Sequence, residues 1–517
     1  MEREPVDDGK HRIVLSTSRL LTPDSAWGQA LEKLQSEGHR LVIKTGSMPP
    51  GAPASWGQIR LVADNIRGFV SESLLVSAVA IDEYAAYRFS PGYPETHSML
   101  MLMMSRVDST GTFRLLEREV LARKMHLEIF SALGEAKPTL GIFDVTPHEA
   151  MDFALMRALE WQGIPLLMFQ PSLVGPQVMA RTSLTEILPV ELPPDVIVRH
   201  RKDLEEVHRI ADASLQRLAQ GTGTPKMDNQ KATEAKVNSF PARVRAVRYS
   251  LKRMSTPGRD VAFALTGHSD IPDRLRRLLE LLLERSLRRS LRKRIEQLPS
   301  LTEAPSHRFA LFALHYEPER SSIPEGYPFD SQLDAIAAVR KLLPEDVTLY
   351  VKEHFSQKAA ALRGFVGRSP DFYDLLASIP GVTVLGTATN TRALMKSAEC
   401  VMTFTGKVGI EAALEEARVV FLGQPWWENM PGAKNFHHLG TYEELLAAPI
   451  PKASEVQEWL AHQVRHSLLP GVSSVPPERH SKRIAVLPDG FEDVEAEGIV
   501  AAVHAVILKA ELASQRA

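Results

Sequence analysis

Glu399-Cys-Val-Met-Thr-Phe-Thr-Gly-Lys-Val-Gly-Ile-Glu-Ala-Ala-Leu-Glu-Glu-Ala-Arg-Val-Val-Phe-Leu-Gly423 reads as a βαβ unit. The apolar run Cys400 to Phe404 predicts a short buried strand, Thr405 and Gly406 a turn, and Lys407 to Ala417 a helix. A second strand, Val419 to Leu422, ends in Gly423. Small residues in such a turn let the backbone approach a ligand, and free N–H groups at the helix start attract negative charge. Thr403, Thr405 and Gly406 are therefore candidates for cradling a phosphate. Glu411, about one turn into the helix, is placed for ribose hydroxyls. The same pattern also suits a strand–turn–helix without any ligand, so the neighbouring strands decide.

Those neighbours repeat the theme. Arg308 to Leu314 predicts a strand running into His315-Tyr316-Glu317-Pro318-Glu319-Arg320-Ser321-Ser322. Pro318 prevents helix continuation, so Glu317 and Glu319 project from a loop at the strand's carboxyl end, with Ser321 and Ser322 as phosphate or hydroxyl donors. A helix over Phe329 to Leu342 leads to strand Val347 to Val351, which ends in Lys352-Glu353-His354. A lysine and a histidine at a strand terminus can neutralise a leaving phosphate without a metal. A helix near Asp371 to Ala377, strand Val382 to Leu385 and helix Thr391 to Ser397 complete the alternation. This is a doubly wound nucleotide-binding unit, in which ligands lie beyond the carboxyl ends of the strands. Trp426 and Trp427 follow, placed either to wall the cleft or to pack in the core.

The N-terminal half begins the same way. Arg12 to Ser16 predicts a strand, Asp24 or Ser25 caps a helix bearing Trp27, Ala30, Leu31 and Leu34, and Leu41 to Ile43 predicts the next strand. Leu74 to Ile81 reads as a strand delivering Asp82 and Glu83 to its end, either at a cleft or in solvent. The methionine-rich run Ser98 to Met104 reads as adaptable packing, and Phe113 to Leu133 as a long amphipathic helix. Strand 139–143 ends in Asp144, a loop presents Pro147, His148 and Glu149, and a helix runs to Trp161 before strand Ile164 to Phe169. His148 can exchange a proton near neutral pH, and Glu149 can orient it or act as base. A helix-capping pair without chemistry is the other reading.

At 517 residues the chain has room for two large domains or three small ones, and 44% hydrophobic with 24% charged residues is ordinary for a globular protein. A net charge of −2 gives no field that argues for nucleic acid. The single cysteine, Cys400, lies in an apolar run, excludes a disulfide framework and fits a reducing cytoplasm. The acidic N-terminus does not read as a secretory signal, and no window reaches the ~18 apolar residues of a membrane span. The expected division is an acceptor domain over 1–190, a helical insertion over 191–305, a nucleotide-sugar domain over 306–470, and a strand and helix over 471–517 packing back across both. Within the insertion, 220–235 reads as a flexible loop. The basic helix 273–298 reads either as an inter-domain helix packed by its leucines or as a peripheral contact on anionic lipid at the inner membrane face; nucleic acid, a third option, lacks aromatic partners or a known motif.

Taken together, several stretches resemble the bacterial capsule and surface-polysaccharide biosynthesis glycosyltransferases of GT-B architecture, near groups using sialic acid or Kdo donors. They are Pro147-His148-Glu149 with Asp152 and Gly163-Ile164-Pro165, Leu314 to Glu319, Tyr350 to His354, Thr403 to Gly406 through Gly409 to Ala412, and Phe421 to Gly423. The resemblance implies two Rossmann-like α/β domains facing a cleft, donor nucleotide on the C-terminal one and acceptor on the N-terminal one. It implies catalytic roles for His148, Glu149, Asp152 and His354. Donor binding falls to Glu317, Glu319, Lys352, Glu353, Thr403, Thr405, Gly406 and Glu411. Related transferases carry a His-Pro dipeptide at the second strand's end; here His354 is followed by Phe355. No Asp-x-Asp motif lies near the cleft segments, so the expectation is transfer without metal or other cofactor, with positive charge in the ion's place. The expected function is transfer of a sugar from a nucleotide donor to a surface-glycan or lipid-linked acceptor. The alternatives are a GT-B-like polyol-phosphate transferase, a nucleotide-sugar epimerase, or a non-catalytic polysaccharide-assembly subunit.

Overall fold

Strand pairing divides the chain between two sheets, seen here in a computed structural model that describes residues 10–17, 21–45, 57–59, 78–106, 108, 114–172, 174–221, 273–359, 362–472 and 487–516. In chain order the strands are β1 (Arg12–Ser16), β2 (Arg40–Thr45), β3 (Gly57–Ile59), β4 (Leu140–Phe143), β5 (Leu166–Pro171) and β6 (Gln177–Arg181). They continue with β7 (Phe309–Ala313), β8 (Thr348–Lys352), β9 (Val382–Leu385), β10 (Val401–Thr403), β11 (Val419–Phe421), β12 (Ala433–Asn435) and β13 (Leu469–Pro470). The first sheet has the order β13-β6-β5-β4-β1-β2-β3 and the second β12-β11-β10-β7-β8-β9. The second is parallel throughout, and in the first only β6 and β13 run antiparallel to their neighbours. Both therefore wind outward from a first central strand in the Rossmann manner, with a switch point between β1 and β4 and another between β7 and β10. Two such sheets make the fold GT-B-like, as the sequence led us to expect.

The continuous apolar runs explain the parallel sheet. Every residue of β7, β10 and β11 is buried, because helices cover both faces. The opening stretch forms β10, the helix Val408–Leu414 and β11 as read. Trp426 and Trp427 are core residues, and Trp427 is fully buried beneath Gly409. A Cβ at Gly409 would overlap the Trp427 indole ring. Gly409→Ala is therefore expected to lower stability by ~1–3 kcal/mol, the usual cost of overpacking, measurable as a lower thermal midpoint.

In the first unit Ser25 accepts the Gly28 amide and caps the helix Ala26–Ser36, whose Trp27, Ala30, Leu31 and Leu34 are buried as expected. Met99, Met103 and Met104 pack inside the helical layer, and the long helix spans Leu115–Ala136. One reading fails. The described part of 74–83 is the helix Ala78–Arg88, not a strand, so Asp82 sits exposed mid-helix and Glu83 is buried near Gln162. Ala80, Tyr84 and Tyr87 form a helical stripe against His126 and Phe130, a period that the uninterrupted apolar run conceals.

The 220–235 loop lies outside the described residues after Gly221, and so do residues 473–486 of the closing segment expected to hold a strand. The basic stretch forms the helix Asp273–Glu296, and Leu291, Ile295 and Leu298 are buried in the core of the second unit. The closing helix spans Phe491–Arg516. It packs on the helix Ala26–Ser36, with Glu492 accepting the Ala26 amide and Glu497 pairing with Lys33, because its apolar face completes the core of the first sheet.

Candidate active site between the two sheets

β7 delivers His315 to the switch point of the second sheet. Its Nε2 accepts the Thr405 amide at 3.2 Å and lies 3.1 Å from the Thr403 hydroxyl. A Cβ at Gly406 would come within 2.9 Å of that hydroxyl and 3.2 Å of the ring, so only glycine lets the turn close here. Thr405 Oγ1 donates to the Ser321 carbonyl at 3.1 Å. The hydroxyls of Thr403 and Thr405 thus shape the turn by bonding their own chain. For Thr403 the expectation of a phosphate ligand is corrected: it is buried, and its hydroxyl is turned toward His315 and the Ala313 carbonyl.

Beneath the loop lies Arg368, fully buried. Its Nη1 donates to both Glu353 oxygens at 2.7 and 2.6 Å, its Nε to Glu317 at 3.2 Å, and its Nη2 to the His315 carbonyl at 2.7 Å. Tyr373 donates to Glu353 at 2.6 Å. Glu353 was expected to bind donor, but its carboxylate faces the interior and is wholly engaged by Arg368 and Tyr373. Glu317 also braces Arg368, with its backbone N–H held by Gln357.

Lys352, His354 and Glu411 lie half-buried at the carboxyl-end edge of the second sheet. His354 Nδ1 accepts the Ser356 amide at 3.2 Å, which places the ring proton of the neutral imidazole on Nε2. Burial, reinforced by His315 and Lys352, pushes its pKa down to about 3, so it is a neutral donor at working pH. Phe355 does not break this arrangement, because His354 caps the short 3-10 turn Phe355–Lys358. Burial lowers the Lys352 pKa against the opposing pull of Glu353 and Glu411. Burial raises that of Glu411 against Lys407, Lys352 and Arg392. Lys352 and Glu411 therefore share one field at the carboxyl ends of β8 and β10.

On the first sheet, β4 hands over to Asp144, which accepts the Thr17 hydroxyl at 2.8 Å, and then to His148 and Glu149. The His148 Nδ1–H donates to the Thr146 carbonyl at 3.0 Å, leaving the lone pair on Nε2. Burial, then Arg320, lowers its pKa to about 4. Glu149 stands at the N-cap of the helix Ala150–Trp161, its outer edge meeting solvent while the protein crowded around it partly desolvates the carboxylate, which raises its pKa against the pull of Arg106. Asp152 lies one turn behind, accepting the Ser16 hydroxyl at 2.8 Å, while Thr45 donates to Ser16 at 2.9 Å.

Desolvation raises the Asp152 pKa to about 7. Because the folded state then holds the proton more tightly than the unfolded chain, stability falls as pH rises from about 4 to about 7 and is level above. Asp152→Asn keeps the acceptor for Ser16 and removes this dependence. The variant should gain ~1–3 kcal/mol over wild type at pH 8 and almost nothing at pH 4, which denaturant titrations at the two pH values would show.

Arg106 joins the two walls. Its Nη1 donates to the His148 carbonyl at 2.7 Å, and its Nη2 to the Glu319 carbonyl at 3.2 Å and to that of Ile323. Burial lowers its pKa to about 10, opposed by Glu149, Glu317 and Glu319. His148 in turn feels both Arg320 and Glu319. The structure thus brings His148, Glu149 and Glu319 to one cleft, with Lys352, His354 and Glu411 along the same sheet edge. It leaves Glu353 and Thr403 behind the surface, and Asp152, half-buried, turned to the Ser16 hydroxyl. Arg106 and Arg368 were missed, since an arginine ending an apolar helix and one after Gly364–Gly367 carry no recognisable spacing. His315 appeared only as part of a motif.

Residues 216–449 match the family model described as "Capsule polysaccharide biosynthesis protein". The capsule-family match covers every strand of the second sheet and the turns just described. No curated protein matches the chain. Similar solved structures include the beta Kdo 2,7 transferase of Thermosulfurimonas dismutans KpsC, 12% identical over 69% of this chain and 90% of that one, with a TM-score of 0.27. The UDP-GlcNAc 2-epimerase of Neisseria meningitidis is 11% identical over 97% of this chain and 100% of that one, TM-score 0.18. The kitacinnamycin glycotransferase is 13% identical over 93% of this chain and 100% of that one, TM-score 0.21.

Proposed function

We propose that this chain is a glycosyltransferase of capsule or surface-polysaccharide synthesis, moving a sugar from a nucleotide donor on the second sheet to an acceptor on the first. The observation that carries the reading is the Arg106 bridge, which sets a proton-accepting pair, His148 and Glu149, against the donor-side loop of Glu319. In this mechanism Glu149 takes the proton of the acceptor hydroxyl. Its raised pKa makes it the better matched base, while His148 at about 4 stays neutral and offers Nε2 as a hydrogen-bond acceptor. Lys352 supplies positive charge and His354 an Nε2–H to the leaving phosphate, and Glu411 binds the ribose.

The transfer in this reading needs no metal. Lys352 provides the charge and His354 the hydrogen-bond donor that an ion would otherwise supply to the leaving phosphate. Activity unchanged by a chelator is the expected result. No helix of the described residues is long and apolar enough to cross a membrane. We place the protein in the cytoplasm, with contact to anionic lipid through the outer face of the basic helix, where Leu282, Arg285, Arg289 and Lys293 are exposed. Calorimetry with CMP, UDP, GDP and CDP tests the donor site. At least one nucleotide should bind, at least tenfold more weakly to Lys352→Met. Absence of binding by all four would contradict the assignment.

A further inference from the structure

We infer that His315 is a positioning residue that couples the Thr405-Gly406 turn to the Glu319 carboxylate through Ser321. The hydrogen-bond directions leave one arrangement. The Thr405 amide can only donate, so His315 Nε2 must carry its lone pair, and the neutral ring holds its proton on Nδ1. That Nδ1–H donates to Ser321 Oγ at 3.2 Å, which frees the Ser321 hydroxyl proton for Glu319 Oε2 at 3.3 Å. An imidazolium would set N–H against N–H at Thr405. Burial keeps the ring from becoming one, holding its pKa near 4.

The backbone of His315 is fixed as firmly as its ring. Its N–H donates to Gln332 Oε1 at 2.9 Å, its carbonyl accepts Arg368, and Phe404 meets the ring edge-on at 5.9 Å. Both ring nitrogens are engaged, so His315 takes no proton from substrate. It transmits position. A displacement at the turn, where the donor phosphate would sit, moves Glu319, which faces His148 and Glu149 across the cleft. The consequence for catalysis rests on the transferase reading; the coupling itself does not.

The test is hydrogen exchange by mass spectrometry and steady-state kinetics on the full chain, comparing wild type with His315→Ala, Ser321→Ala and Ser321→Thr. His315→Ala should raise exchange in peptides covering both 315–323 and 403–407. Ser321→Ala, a milder change, should raise it in 315–323. In kinetics Ser321→Ala should lower kcat about tenfold with donor KM within about twofold, and Ser321→Thr should restore both. Exchange in 315–323 unaltered by either His315→Ala or Ser321→Ala overturns the coupling, and a wild-type kcat in Ser321→Ala overturns its consequence for catalysis. If wild type releases no nucleotide from any sugar donor, the transferase reading fails instead, and the exchange comparison still decides the coupling.

Discussion

Replacing Arg368 by methionine is expected to destabilise the second unit by about 3–5 kcal/mol, because one partner of a fully buried ion pair leaves the other charge without compensation. Arg368 and Glu353 are both wholly inaccessible, and Glu317 and the His315 carbonyl depend on the same guanidinium. Burial works against the charged guanidinium, but Glu353 and Glu317 outweigh it and hold the pKa above the ordinary arginine value. A lowered urea midpoint would register the loss. The double variant Arg368→Met, Glu353→Leu should be less destabilised than Arg368→Met alone, since it removes the stranded carboxylate as well. Equal midpoints for wild type and Arg368→Met would show that the pair contributes nothing. The pair stabilises the loop that carries His315 and Glu317, so the single variant should also weaken nucleotide binding.

Glu149→Gln is expected to lower kcat by 10²- to 10⁴-fold, the range for loss of a general base, with nucleotide affinity unchanged. Glutamine preserves the size of the side chain at the helix N-cap and removes only its ability to take a proton. The sign of the pH dependence follows from the shift. Desolvation raises the Glu149 pKa, so the base is lost on acidification at a higher pH than for an ordinary glutamate, and the rate rises with pH through that value. His148, with a pKa of about 4, contributes no limb near neutrality. In Glu149→Gln the acid limb should vanish with the activity. A variant with near-wild-type kcat would remove Glu149 from the chemistry.

The parallel sheet of the second unit was legible because its strands are unbroken apolar runs ending in polar clusters, as at Lys352-Glu353-His354. The direction of each polar side chain was not. Glu353 and His354 are adjacent, yet one turns inward to Arg368 and the other caps a turn at the cleft, a choice made by a partner 15 residues away. Thr403 and Thr405 looked like phosphate ligands by type, but His315 and the Ser321 carbonyl compete for them. Arg106 could not be found from sequence, since its three carbonyl partners come from loops distant in the chain. The helix Ala78–Arg88 was misread because an apolar run masks its period, and aromatic packing against His126 and Phe130 decided it.

The central claim is that the cleft between the sheets transfers sugar from a nucleotide. Incubating the chain with CMP-, UDP-, GDP- and CDP-linked sugars, and separating the products by chromatography, tests it most directly. Nucleotide release is expected from one donor class, with the sugar on acceptor or water, and is lost in both Glu149→Gln and His354→Ala. Release from none of them, or release undiminished in both variants, would contradict it.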